Sequence, residues 1–346
     1  MNPLWSVVAG LPEQARRAIS SMIVGTTPAQ PSLPQGPGRQ TTRVSDAGRG
    51  VATGLLGRLV DLAASDPDAG IGVADAIDDH RRHRSAPHGA IVGALVVRAS
   101  VIDDLLRAGI DSRTEVVLVA DTGLDRLPGA VATLRAESVT LLRVQAPVAK
   151  RGEDPVPGLL RLTTIAASSF ANLPVYAEIP LAGGLIDALD EIVTSRERSD
   201  VRLAATFRVG GLAAELFPSA PVLAGIVCAC RDRGVRFSIN GGLHRAMRHN
   251  DPETGFTHHG VLNILAACLT ATTGAAAGAV ADRLMTTDPV PLVELVRAGR
   301  DLPRPLWTAY TAGRVEDLVA DLSTLGILSR PSGDDPVIAS ATDVGR

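Results

Sequence analysis

The stretch 201–242 reads VRLAATFRVGGLAAELFPSAPVLAGIVCACRDRGVRFSINGG. It opens on a short aliphatic run, VRLAATFRV (201–209), and closes on a second, VRFSINGG (235–242). Between them, PSAPVLAGIVCACRDRG reads as a helix, and Gly234 is a good helix stop. Short aliphatic or β-branched runs alternating with helix-period segments indicate βα units and a parallel sheet.

The same alternation extends outward in both directions. Upstream lie RLVDLAA (58–64), AIVGALVVR (90–98), TEVVLVADT (114–122), SVTLLRVQA (138–146) and LPVYAEIP (173–180), and downstream lies PLWTAYT (305–311). Each run is followed by a helical stretch, GGLIDALDEIVTSRER being one example. Eight strands and eight helical segments in about 270 residues match the size of a closed (β/α)8 barrel. The expected fold class is therefore α/β, a TIM-type barrel over residues 58–328. An open doubly wound sheet is the competing arrangement, but the chain has eight regular units and lacks a dinucleotide glycine signature, which favours closure.

The flanks read differently. Residues 1–24 hold one short helical segment. Residues 25–50 are rich in Pro, Gly, Gln and Thr and read as a linker, and residues 329–346 read as a disordered tail. No basic start or signal-type apolar core opens the chain, and no apolar run reaches the ~18 residues of a membrane span, so a cytoplasmic location is expected.

Composition excludes some classes of function. The 346 residues are 45% hydrophobic and carry a formal net charge of -3, which gives no electrostatic reason for nucleic-acid or membrane binding. Aromatic residues make up only 3%, so aliphatic side chains must fill the core. Of 34 basic residues a single one, Lys150, is lysine, and arginine cannot form a Schiff base. Cys228 and Cys230 share an apolar helix, where residues two apart do not share a face. With Cys268 they read as small core residues rather than metal ligands or a disulfide.

Barrel ligands bind where the strands end at their C-terminal side. Those ends carry Asp61, Arg98, Asp121, Arg143 with Gln145, Glu178, Arg208, and Asn240 with His244. Charged residues there indicate a polar pocket, although some also form buried ion pairs. Two glycine pairs follow strands six and seven, Gly210–Gly211 and Gly241–Gly242. Such pairs let backbone N–H groups approach an anion, and Arg208, Arg245 and Arg248 nearby favour an anionic substrate group.

The segment 240–263, NGGLHRAMRHNDPETGFTHHGVLN, holds four of the seven histidines: His244, His249, His258 and His259. As acid–base groups they would titrate near neutrality without further tuning. As a metal site they would need to converge with a carboxylate such as Asp251 or Glu178, yet no H-x-x-x-H or H-E-x-x-H spacing occurs. As structure, NDPETGF is a turn that the imidazoles would brace.

The motifs FRVGG, FPS (217–219), GLH (242–244), RHNDPETGFTHHGVLN (248–263) and VEDL (315–318) resemble a group of actinobacterial proteins described as β/α-barrel domain proteins, over roughly residues 58–328. In that group strand six ends K-x-R-x-G-G, and strand seven reads F-K followed by G-L-H-H. This layout is similar to that of deoxyribose-phosphate aldolase, where one lysine forms a Schiff base and the other tunes it. The resemblance implies aldolase-like ancestry. This chain departs from it: Thr206 and Ser238 occupy the lysine positions and Arg245 that of the second histidine, while Asp61 is followed by Leu62 where relatives have paired aspartates. Schiff-base chemistry is not expected.

Three functional readings follow. The first is an aldolase- or isomerase-like enzyme on a small anionic carbonyl compound, with no cofactor. Arg208, Arg143, Arg245, Arg248, the glycines, Asp61 and Asp121 would bind substrate, while His244, His258, His259, Glu178 and Asn240 would move protons or orient it. The second is a degenerate barrel that binds a ligand or a protein partner without turnover. The third is a metal-dependent hydrolase or lyase built on the histidines.

Overall fold

The computed structural model describes residues 54–64, 72–211 and 213–328; the expected N-terminal helix, linker and tail lie outside these residues. Eight strands form a closed parallel barrel: β1 (Val60–Ala63), β2 (Val92–Arg98), β3 (Glu115–Val119), β4 (Thr140–Pro147), β5 (Val175–Glu178), β6 (Leu203–Arg208), β7 (Phe237–Asn240) and β10 (Trp307–Ala312). Each falls within, or extends by a residue or so beyond, a run picked out by aliphatic patterning. The ring closes where β1 pairs with β10, through Val60↔Tyr310, Asp61↔Thr311 and Leu62↔Ala312. The fold is a (β/α)8 barrel of the TIM type.

Helices follow the strands in turn: α1 (Val73–Ser85), α2 (Ile102–Arg107), α3 (Leu127–Ala136), α4 (Pro155–Ser169), α5 (Leu185–Arg198) and α6 (Ala220–Asp232). After β7 the chain departs from one helix per strand. A two-stranded hairpin, β8 (His249–Asn250) with β9 (Thr257–His258), precedes three helices, α7 (Val261–Thr272), α8 (Ala277–Met285) and α9 (Pro289–Ala298); α10 (Glu316–Thr324) follows β10. The hairpin loop is the turn expected from NDPETGF. Asp251 donates its N–H to Phe256 O (2.9 Å) and its carboxylate accepts from the backbone of Thr254 (2.8 Å).

Strand residues alternate between two faces, and the outward one is apolar. Leu95, Leu118, Val144, Phe207, Phe237 and Trp307 are fully buried there, beneath the helices. From α6 come Leu223, Val227 and Cys230, also fully buried. Cys230 is a free thiol pushed up to about 12 by burial, as befits a small core residue, and Cys228 and Cys268 are likewise buried and unpaired. The stretch Ala214–Asp232 is long and apolar enough by length and composition to cross a membrane, although α6 within it packs into the barrel's helical layer.

Arg304, just ahead of β10, ties the two terminal strands together. Its guanidinium donates to Leu55 O (2.6 Å), Gly57 O (3.1 Å) and Trp307 O (2.9 Å). Desolvation brings its pKa down to about 10, so it stays charged among these carbonyls.

Candidate functional site

The inward strand face divides into two arcs. On β2 and β3 it is apolar, with Ala94, Val96, Val117 and Val119 in one small cluster separate from the main core. From β4 round to β1 it is polar, because Arg143, Gln145, Tyr176, Glu178, Thr206, Arg208, Ser238, Asn240, Thr311 and Asp61 follow one another across adjacent strands. The register sets Val119 beside Gln145, Gln145 beside Tyr176, Glu178 beside Thr206, Thr206 beside Ser238 and Arg208 beside Asn240. Two-residue periodicity puts each pair from one strand on the same face.

At the base of this arc Asp61 and Arg143 form an ion pair, with only 2% and 6% of their side chains exposed. Asp61 Oδ1 also accepts from Ala94 N–H at 2.7 Å. That contact needs Gly93, since a Cβ there would overlap the carboxylate. Behind Gly93, His80 of α1 donates from Nε2 to the Gly93 carbonyl (3.0 Å) and is kept neutral by burial. The Arg143 guanidinium lies over the Tyr176 ring, 5.1 Å from its centroid.

One layer along, Thr206 and Ser238 hydroxyls hydrogen-bond at 2.7 Å, and Gln145 Nε2 donates to Ser238 Oγ at 3.3 Å. Both hydroxyl residues are fully buried. At the mouth, Glu178 accepts from Asn240 Nδ2 on one oxygen (2.9 Å) and from Arg208 Nη2 and Nε on the other (3.1 and 3.3 Å). Thr311 donates to Asn240 Oδ1 at 3.1 Å, which orients the amide so that its NH2 faces Glu178. Two buried polar atoms of β4, Arg143 Nε and Gln145 Oε1, have no protein partner; buried groups of this kind are rare.

Glu178 and Arg208 form one wall of a cleft of about 580 Å³, including its solvent-open part, completed by Arg151, Ile179, Glu215 and Leu216. Arg151 Nη1 donates to Glu215 O at 2.9 Å, joining the loop after β4 to the loop after β6. The cleft therefore brings together two arginines and two glutamates, of which Glu178 is held from both sides. Among the described residues no histidine lines it.

The histidine segment forms a separate cluster. His258 donates from Nδ1 to Gly242 O (3.2 Å), and its ring packs against Phe217, His249 and His244 with centroids 4.6, 5.1 and 5.7 Å away. His259 faces elsewhere and donates from Nε2 to Pro218 O at 2.8 Å. Burial is the first cause that lowers the pKa of His244, His258 and His259 below the ordinary imidazole value. At His244 the neighbouring His258 and His249 add to the effect. They are neutral at pH 7. Among the described residues these four imidazoles form no group of three potential ligands within reach of one ion.

The other anticipated site residues have local partners. A Cβ on Gly210 would overlap the Gly242 backbone, and one on Gly242 would overlap Val209 O, so these glycines allow the loops after β6 and β7 to touch each other. Gly242 and Gly241 also carry positive φ values, +74° and +68°. Gly211 packs against Leu216. Arg245 is drawn to Asp321 of α10 at 3.0 Å, Arg248 donates its backbone N–H to Asn263 Oδ1 (2.8 Å), and Asp121 accepts from Ser100 N–H (3.0 Å) on the rim. None of these three joins the Glu178 network. The residues that sequence reading passed over are Tyr176, Thr311 and Arg151. Tyr176 was findable, because it stands two before Glu178 on β5; Arg151 sits on a loop, where no periodicity marks it.

The class of protein is thus a closed (β/α)8 barrel whose polar interior reaches, through Glu178 and Arg208, a cleft lined by paired arginines and glutamates. No protein-family model and no curated protein matches the chain. Among solved structures it is similar to a biosynthetic arginine decarboxylase from Campylobacter jejuni, at 11% identity and a TM-score of 0.38, over 74% of this chain. The match spans 39% of the length of that decarboxylase.

Proposed function

We propose that the protein is a proton-transfer enzyme of the isomerase or lyase kind that acts on a small anionic carbonyl compound, free of Schiff-base chemistry and with neither nucleic acid nor membrane as partner. The observation that carries this reading is Glu178 held between Asn240 and Arg208 at the wall of the cleft. Arg208 is half exposed and bonds Glu178 at 3.1 Å, a geometry an incoming carboxylate or phosphate can compete with. Once the anion takes Arg208 and Arg151, Oε1 of Glu178 is released as a general base while Asn240 keeps Oε2 in place. The base takes a proton from the carbon beside the substrate carbonyl and returns it to a neighbouring atom. The aldolase-like ancestry suggested by the FRVGG and GLH motifs fits a substrate of this class.

A second reading, binding without turnover, is favoured by the Thr206–Ser238 hydrogen bond. The two side chains at the lysine positions satisfy each other. One experiment separates the readings. Thermal-shift titration with sugar phosphates and small carboxylates is followed by turnover assays on whatever binds. The expected outcome is that Arg208→Ala weakens binding about tenfold or more, the loss of a charge-assisted hydrogen bond, whereas Glu178→Gln keeps binding and abolishes turnover. If Glu178→Gln turns over as the parent does, the general-base role is wrong. If no anion shifts the unfolding temperature of the parent, the anion-pocket reading fails and the non-catalytic barrel is the better account.

A further inference from the structure

Outside the barrel, across the seam where β1 meets β10, three side chains of opposite chain ends converge. Asp79 and His83 lie four residues apart on α1, and Glu316 begins α10. His83 Nε2 is 3.5 Å from Asp79 Oδ1 and 3.3 Å from Glu316 Oε1, and the ligand atoms of all three fall within 4.8 Å of one another. Only 7% of the His83 side chain is exposed, and its Nε2 is buried without a hydrogen-bond partner. A shielded imidazole nitrogen therefore faces two carboxylates, each within ion-pair distance.

The far side of the ring explains which way its lone pair points. His83 Nδ1 lies 3.0 Å from Nε2 of His88, so the two rings can share one N–H···N hydrogen bond. With the proton on His83 Nδ1, Nε2 carries a lone pair aimed between the two carboxylates. Two anions around a lone pair repel unless a cation sits among them. In a tetrahedral zinc centre with bonds of about 2.1 Å, adjacent ligand atoms stand about 3.4 Å apart. The two histidine–carboxylate separations bracket that value. An imidazole fixed through its second nitrogen is the usual support for such a ligand.

We propose that Asp79, His83 and Glu316 bind a divalent transition-metal ion, Zn2+ by ligand type and spacing, which clamps the helix after the first strand to the helix after the last. Half of the Glu316 side chain is exposed, so the fourth coordination position opens toward solvent. Asp79 also pairs with the largely exposed Arg82, which the metal displaces or which keeps the outer face of the carboxylate. The site lies apart from the Glu178 cleft, so its role is to brace the barrel seam.

The test uses the full chain after chelator treatment. Zinc chloride is titrated calorimetrically, Co2+ is added in parallel for its visible absorption, and the unfolding temperature is followed with and without zinc. The expected result is one equivalent bound, a tetrahedral-type Co2+ band and a rise in unfolding temperature. Glu316→Gln, on an exposed side chain, should leave the unfolding temperature of the metal-free protein unchanged yet weaken zinc binding by at least about tenfold. His83→Gln should abolish the Co2+ band. If the chelator-treated parent binds no zinc at micromolar concentrations, the site does not exist. If Glu316→Gln binds zinc as tightly as the parent, the ion sits elsewhere, the histidine segment 244–259 being the next place to look.

Discussion

Asp61 and Arg143 meet inside the barrel with both charges shielded from water, whereas His258 and His259, in the loop after β7, spend ring nitrogens on the carbonyls of Gly242 and Pro218. Both regions are polar, buried and assembled from residues distant in sequence. They differ in what their polar atoms do. In the histidine loop the imidazoles hold backbone in place: ring packing with Phe217 and hydrogen bonds to carbonyls fix the loop after β6 against the loop after β7. Inside the barrel the groups stand on strands and include a buried ion pair. Each region leaves buried polar atoms without a protein partner, Arg143 Nε and Gln145 Oε1 in the barrel and His259 Nδ1 in the loop. A dense run of histidines is thus a weaker guide to chemistry here than a few charges spaced two residues apart on strands.

The comparison is broken most directly at Asp61. Asp61→Asn leaves the Arg143 guanidinium buried and uncompensated, and should cost about 3–5 kcal/mol. Urea unfolding of the variant measures it. The exposed Arg208–Glu178 pair is the internal control: Arg208→Ala should change stability by at most about 1 kcal/mol, since half of that guanidinium is in water. If the two variants lose the same stability, burial does not raise the cost of breaking the Asp61–Arg143 pair. A double replacement, Asp61→Leu with Arg143→Met, should recover most of the loss, because apolar residues of similar volume replace buried pairs well.

At the boundary of the two regions stands Gly210. Gly210→Ala puts a methyl group into the Gly242 backbone, which has no flexible side chain to move aside. Overpacking of this kind should cost about 1–3 kcal/mol and should loosen the mouth as well. Equal stability in the variant would mean that the two loops separate easily. The anion-cradle reading of the glycines would then regain ground over the packing one.

The strands were legible because a barrel strand is a short aliphatic run between helical segments, and that is a local property. All eight positions came from it, including the short β1. The inward polar groups were legible from their place near the strand ends, where a barrel builds its mouth: Arg143 with Gln145, Glu178, Arg208 and Asn240 were found there. Partnership was not legible. Asp61 and Arg143 are 82 residues apart, and only closure of the ring brings them together. Nor does a sequence distinguish glycines that cradle an ion from glycines that let two loops touch, since both need the same missing side chain and the same positive φ. The three helices between β7 and β10 escaped notice because apolar segments joined by short breaks read as one helical stretch. Asp79 and His83 share one helix face, but Glu316 comes from the other end of the chain, and only closure of the barrel brings it to them.

The smallest expected effect concerns pH, and it sharpens the difference between bracing and charge. Burial holds the folded-state pKa of His259 below the ordinary value of 6.5, with the nearby Arg248 and His258 adding to the shift against the Pro218 hydrogen bond. When the folded pKa is the lower one, the unfolded chain takes up a proton first as pH falls. Stability contributed by the neutral imidazole is therefore complete above about pH 6.5 and declines as pH drops from there toward the folded pKa. The slope is at most about 1.4 kcal/mol per pH unit for one histidine. Unfolding free energies measured from pH 7.5 down to pH 5 should fall for the parent. They should fall less steeply for His259→Ala, even though that variant starts lower through loss of its hydrogen bond to Pro218 O. Parallel curves for the two proteins would show that His259 takes up its proton as readily in the folded as in the unfolded chain, so that its surroundings do not hold it neutral.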